Sequence, residues 1–191
     1  MIGVINRLMF DFVEQNWGSE MSARFRKESQ SENVDFRMDV YYPDVEWQQQ
    51  LDVAIRLTGL DKEALVWAFG RYSGEVLTRQ FSGFITGATS ARDVITRQPR
   101  IHNTLALSFT EEAHRKTINE KFRLEEFPDH TVVHYVSPNK LCAFYRSLAQ
   151  WVADSFNETI EIIEPVCMHR GDHECEIHVR YLGKKTTGDI S

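Results

Sequence analysis

The chain has 191 residues, 42% of them hydrophobic, and a net charge of −6. That is enough apolar matter for a real core, and too acidic a balance for a protein that tracks phosphates along a nucleic acid. No apolar run approaches the roughly 20 residues that span a bilayer, and the first residues lack the features of a secretion signal. The expectation is a cytoplasmic protein with no nucleic-acid or membrane partner. Three cysteines fit reduced thiols or a metal site better than a disulfide scaffold.

Ile2, Ile5, Leu8, Met9, Phe12 and Val13 recur at three- and four-residue steps, which predicts a helix over residues 2–16 with one apolar stripe. Gly18 stops it, and Ser19 can open a short second helix. Residues 31–42 read as a loop. Pro43 and Asp44 start a helix running to about Leu57, with Gly59 as its stop. Asp61 caps the next helix, with Leu65, Val66, Phe69, Val76 and Leu77 on its buried side. Gly70 and Gly74 sit inside that pattern. Each costs about 1 kcal/mol relative to alanine, so close packing against another helix or a flat ligand is expected. Residues 89–108 read as one or two helices broken near Pro99, with His102 among Ile101, Leu105 and Phe109.

The period then changes to two. Ile118, Glu120, Phe122, Leu124 and Glu126 alternate, Pro128 and Asp129 make a turn, and residues 131–136 return as a second strand. A helix is predicted over 138–155, opened by Pro138, with Leu141, Phe144, Leu148, Trp151 and Val152 inward. Residues 158–166 and 175–182 are two more strands, with Gly171 in the turn between them. The order predicts an α+β fold. A helical N-terminal lobe covers about 1–115, and a lobe with a four-stranded antiparallel sheet and helices covers about 116–183. Both belong to one domain over 1–183, followed by a flexible tail over 184–191.

Three groups of residues carry chemistry. His102 stands alone among apolar residues, where a histidine is ordinarily a satisfied packing group. Its neutral imidazole can also donate a lone pair to iron. Tyr135, Ser137 and Asn139 follow where a strand runs into a helix. Their polar groups can hold an anion, or serve as ordinary turn and cap chemistry. Cys142, Cys167 and Cys175 lie on three elements that the predicted sheet brings together. Glu164, His169 or His173 could complete a tetrahedral zinc site with them. The plainer alternative is three reduced thiols packed as small hydrophobes. No phosphate loop and no defensible nucleophile–base set is visible, so no enzyme is expected.

The order and spacing of His102, Tyr135, Ser137 and the three cysteines resemble the heme nitric-oxide/oxygen-binding (H-NOX) family over nearly the whole chain. The likeness is to bacterial stand-alone members with a zinc-binding Cys cluster. It implies heme b between the lobes, ligated by His102. Tyr135, Ser137 and Asn139 take the places of the family's Tyr-x-Ser-x-Arg motif, which grips the heme propionates. Asn139 stands for the Arg and removes its cation, while Lys140 offers a weaker one beside it. The stretch after Phe109 lacks the prolines that relatives carry. Ile5, Met9 and Leu77 fall on the distal side, as do Ser73 and Gly74. Phe144 stands where O2-binding relatives have a Tyr, so the resemblance implies nitric oxide rather than O2; Tyr72 is a nearby hydroxyl. Cys142, Cys167 and Cys175 would bind zinc, with Glu164 at the usual His position. The implied role is a gas sensor that signals to a separate histidine kinase or diguanylate cyclase/phosphodiesterase. The missing Arg and prolines also fit a second expectation. This is a heme-free relative, similar to V4R-type domains, with a structural or redox-responsive zinc site and another small ligand or only a protein partner.

Overall fold

A computed structural model describes residues 1–32 and 34–185. Helix α1 spans Gly3–Glu28 and carries Leu8, Met9, Phe12 and Val13 into the core. Gly18 interrupts it with φ 85°, a left-handed angle that only glycine adopts cheaply. The predicted stop is therefore a kink, with helix on both sides of it. Helix α2 (Asp44–Thr58) ends at Gly59 and α3 (Lys62–Gln80) starts at Asp61, whose side chain accepts from the Ala64 amide. A short helix α4 (Ser82–Ile85) follows. Helices α5 (Ala91–Thr96) and α6 (Gln98–Ala106) break at Arg97, two residues before Pro99.

Helix α7 (Glu112–Asn119) was not legible as a helix. Ile118 and Phe122 lie four apart, a step that suits a strand face and a helix face alike. Ile118 is in fact the buried anchor of α7, and β1 begins only at Phe122. Strands β1 (Phe122–Glu126), β2 (His130–Tyr135), β3 (Glu158–Val166) and β4 (Cys175–Lys184) form one antiparallel sheet in the order β1-β2-β4-β3. Helix α8 (Cys142–Ser155) links β2 to β3. Mixed helices and a four-stranded antiparallel sheet are thus the α+β class that the chain order implies.

Two boundaries differ from the sequence pattern. Pro138 does not open α8. Residues 137–141 form a turn in which Lys140 takes φ 48°. Ser137 Oγ accepts from the Asn139 amide, and the Tyr135 hydroxyl accepts from the Leu141 amide. The helix starts only at Cys142. At the other end, β4 continues past Leu182 to Lys184, and the Lys185 amide donates to the Asn157 carbonyl. The expected tail is strand at its start, and residues 186–191 lie outside the described residues.

Helix α3 packs along α8, and its two glycines make this possible. A Cβ on Gly70 would stand 2.6 Å from Ser147 Cβ, and one on Gly74 would stand 2.7 Å from the Trp151 ring. The Ser147 hydroxyl donates to the Trp67 carbonyl across the same contact at 2.6 Å.

Candidate functional site

An apolar cavity of about 190 Å³ lies among α1, α3, α6, β1, β2 and α8. Ile5, Leu77, Ile101, Phe122, Phe144 and Leu148 supply much of its wall, together with His102. The His102 ring packs on Phe122 at 4.7 Å between centroids, and Phe122 packs on Tyr135 and Tyr145 in turn. Gln98, one helical turn earlier on α6, contacts His102 Nε2 at 3.1 Å. Nδ1 is buried without a hydrogen-bond partner. Burial, with a smaller push from the Lys121 charge, holds the imidazole pKa down to about 3. His102 is therefore neutral at physiological pH.

Two more polar groups line this cavity without partners. The Tyr145 hydroxyl is buried and unpaired, and burial pushes its pKa up. Lys121, in the join between α7 and β1, also lines the wall. Buried polar groups are ordinarily hydrogen-bonded, so orphans that share one apolar cavity mark a binding site. A neutral imidazole, its Nε2 lone pair held only by the Gln98 amide, beside a large aromatic and aliphatic surface suits a flat apolar cofactor carrying a metal. The residues present fit heme on that ground.

The second assembly is small and tight. Cys142 opens α8, Cys167 follows β3, and Cys175 opens β4. Gly171, at φ 98°, turns the chain between the last two, and the Asp172 carboxylate accepts from the Cys167 amide at 2.9 Å. Sγ of Cys142, Cys167 and Cys175 and a carboxylate oxygen of Glu164 all lie within 4.8 Å of one another. Cys167 Sγ stands 3.8 Å from each of the other two sulfurs, and all three thiols are free. A tetrahedral zinc with Zn–S near 2.3 Å has S···S edges of about 3.8 Å. Burial holds the Cys142 thiol well above its usual range and pushes Cys175 up to about 12. A bound cation would reverse that preference by favouring thiolates. One Glu164 oxygen is buried and unpaired, with Arg146 3.5 Å from the carboxylate. Of the alternative fourth ligands, His169 bonds the Lys140 carbonyl and His173 is exposed; neither belongs to the group.

The haem-NO-binding family matches residues 2–164. The chain belongs to this family, the H-NOX domains, which are heme-based gas sensors. Solved H-NOX structures share its fold. An H-NOX protein from S. oneidensis in the Fe(II)NO state is 18% identical, with 96% of this chain and 100% of that chain covered and a TM-score of 0.78. A K. algicida H-NOX mutant in the unliganded Fe(II) state is 21% identical, covering 95% and 96%, with a TM-score of 0.75. An oxygen-binding H-NOX domain related to soluble guanylate cyclases is 16% identical, covering 96% of each chain, with a TM-score of 0.76. A search of curated protein sequences found no match.

Set against the H-NOX motif, the expected cofactor residues divide. His102, Tyr135, Ile5, Leu77 and Phe144 meet on the cavity wall. Met9 is fully buried in the core of α1, and Ser137 and Asn139 lie in the turn before α8; none of the three lines the cavity. Asn139 is committed elsewhere, because its amide donates to Asp44 at 2.6 Å. Lys140 does not stand in for the lost Arg, since its ammonium donates to the Met168 carbonyl. Of the other distal expectations, Gly74 lines the cavity, whereas Ser73 is buried outside it and Tyr72 packs on Phe12. Sequence reasoning missed Gln98, Lys121 and Tyr145. The i, i+4 step from Gln98 to His102 was a usable signal. Lys121 reads as an ordinary solvated charge, and nothing local distinguishes it.

Proposed function

We propose that the chain is a heme-based nitric-oxide sensor acting in the cytoplasm, with residues 1–183 as one sensing unit. The observation that carries this reading is His102, neutral and with one ring nitrogen unpaired, on the wall of an apolar cavity. Heme b, when bound, supplies a ferrous iron that accepts a nitrogen ligand and a diatomic gas. The Gln98 amide nitrogen donates to Nε2, so the neutral imidazole carries its proton on Nδ1 and its lone pair on Nε2, where an iron would take the place of the amide. Ile5, Leu77 and Phe144 exclude water from the gas. Phe144 offers it no hydrogen-bond donor, which suits nitric oxide better than O2. The domain acts as a sensor rather than an enzyme. It signals to a separate histidine kinase or diguanylate cyclase/phosphodiesterase.

The sulfur spacing supports zinc on Cys142, Cys167, Cys175 and Glu164. Metal analysis of the purified protein should find one zinc per chain, and a metal-free protein with all three thiols reduced would refute that assignment. For the gas, the reduced, heme-supplied protein is exposed to nitric oxide and to air in parallel. The Soret band should shift with nitric oxide, and air should give no stable oxygen complex. A stable spectrum in air that is lost in Tyr145→Phe would overturn the preference, because the Tyr145 hydroxyl would then be a donor to O2.

A further inference from the structure

Lys121 stands in the two-residue join between the end of α7 and the start of β1, where its side chain lines the cavity beside Phe122. Among the described residues its ammonium has no hydrogen-bond or ion-pair partner. The residue is half-buried; desolvation lowers its pKa, and the Asp44 charge opposes that shift. Asp44 is already engaged: its Oδ1 accepts from the Met1 amine at 2.8 Å and from the Asn139 amide at 2.6 Å. A charge set against apolar surface loses part of its hydration and gains from a partner. An ammonium left alone on an apolar wall has a counter-ion still to come, and the cavity is the space from which it can come.

The other cations near this region are committed. The Met1 amine donates to Asp44 and to the Tyr42 carbonyl, and Lys140 donates to the Met168 carbonyl. Asn139 carries no charge. We propose that Lys121 is the carboxylate-binding residue of the cavity, pairing its ammonium with an acidic side arm of an otherwise apolar ligand. The inference rests on the heme reading and deepens it. The cation that the motif's Arg supplies from the position of Asn139 is here moved to the α7–β1 join. The bond is a charge-assisted N–H···O contact, made by a point charge rather than a planar fork.

The test compares two porphyrins in titrations of the heme-free protein. Heme carries two carboxylates; heme dimethyl ester has the same ring with those charges removed. Wild type should prefer heme by about ten- to a hundredfold, the range for a hydrogen bond to a charged group. Lys121→Met should lose most of that preference through weaker heme binding alone, while Lys121→Arg keeps it. Heme-free Lys121→Met should melt no lower than wild type, because the substitution removes a charge from a half-buried position on an apolar wall; if it does not fold, Lys121→Gln serves for the same comparison. Equal heme affinity in wild type and Lys121→Met, or a wild type indifferent to esterification, overturns the proposal and leaves the heme reading standing. A wild type that takes up neither porphyrin overturns both.

Discussion

Helix α8 opens in one assembly and runs along the other. Cys142, its first residue, joins the thiol group, while Phe144, Tyr145 and Leu148 face the cavity. The two are built in opposite ways. In the thiol group the ligand atoms already stand at coordination spacing, and a single turn, closed by Gly171 and Asp172, places two of the three sulfurs. In the cavity the polar groups belong to distant segments and stand unpaired: His102 Nδ1, the Tyr145 hydroxyl and the Lys121 ammonium. A small ion can be awaited by local geometry alone. A large apolar ligand must bring the partners that complete its own site.

The largest separation of the two should come from metal removal, which acts on one side only. If free zinc stands a thousandfold above its dissociation constant, binding stabilises the fold by about 4 kcal/mol. Chelation should therefore lower the wild-type melting temperature. Cys167→Ala should melt low from the start and not respond to chelator. Equal melting curves with and without chelator would remove zinc from the account.

Damage to what the sites share should weaken both. Gly70→Val forces a side chain against Ser147 and the Phe144 carbonyl. Overpacking of this kind costs about 3 kcal/mol, readable in a urea midpoint. Heme uptake and zinc retention should fall together. Gly74→Ala is milder, at about 2 kcal/mol, because the obstacle is the Trp151 ring, which is only partly buried and can shift. Most of that cost should vanish in a Trp151→Ala background. A cost that persists there would mean that α3 meets α8 differently. The smallest effect is expected at Gln98→Leu, which removes the amide that donates to His102 Nε2. Heme affinity should rise by up to about tenfold, the range of one hydrogen bond, with zinc content unchanged.

How much of this was legible depended on whether the cause was local. Helix α3 was readable from its Asp61 cap and its apolar stripe, and the glycines inside it announced close packing that the structure realises against α8. The thiol group was readable as a set, and Glu164 could be named as one of three candidates for its fourth member. The choice among the three needed the β3–β4 register, which aims His169 and His173 elsewhere. Helix α7 was hidden because one apolar anchor, Ile118, cannot state a period. The start of α8 was misplaced because Lys140 adopts a left-handed conformation that Pro138 does not signal. In the cavity, His102 and Tyr135 could be found by spacing. Lys121 could not, since its place on the cavity wall comes from the packing of the whole fold and not from its neighbours in sequence.

The most direct test of the central claim is the absorption spectrum of the reduced, heme-supplied protein in three forms: wild type, His102→Gly, and His102→Gly with added imidazole. The account predicts stoichiometric uptake with a sharp Soret band in wild type. That spectrum should be lost in His102→Gly and restored when free imidazole fills the gap. An unchanged spectrum in His102→Gly would show that His102 is not the iron ligand and would contradict the account.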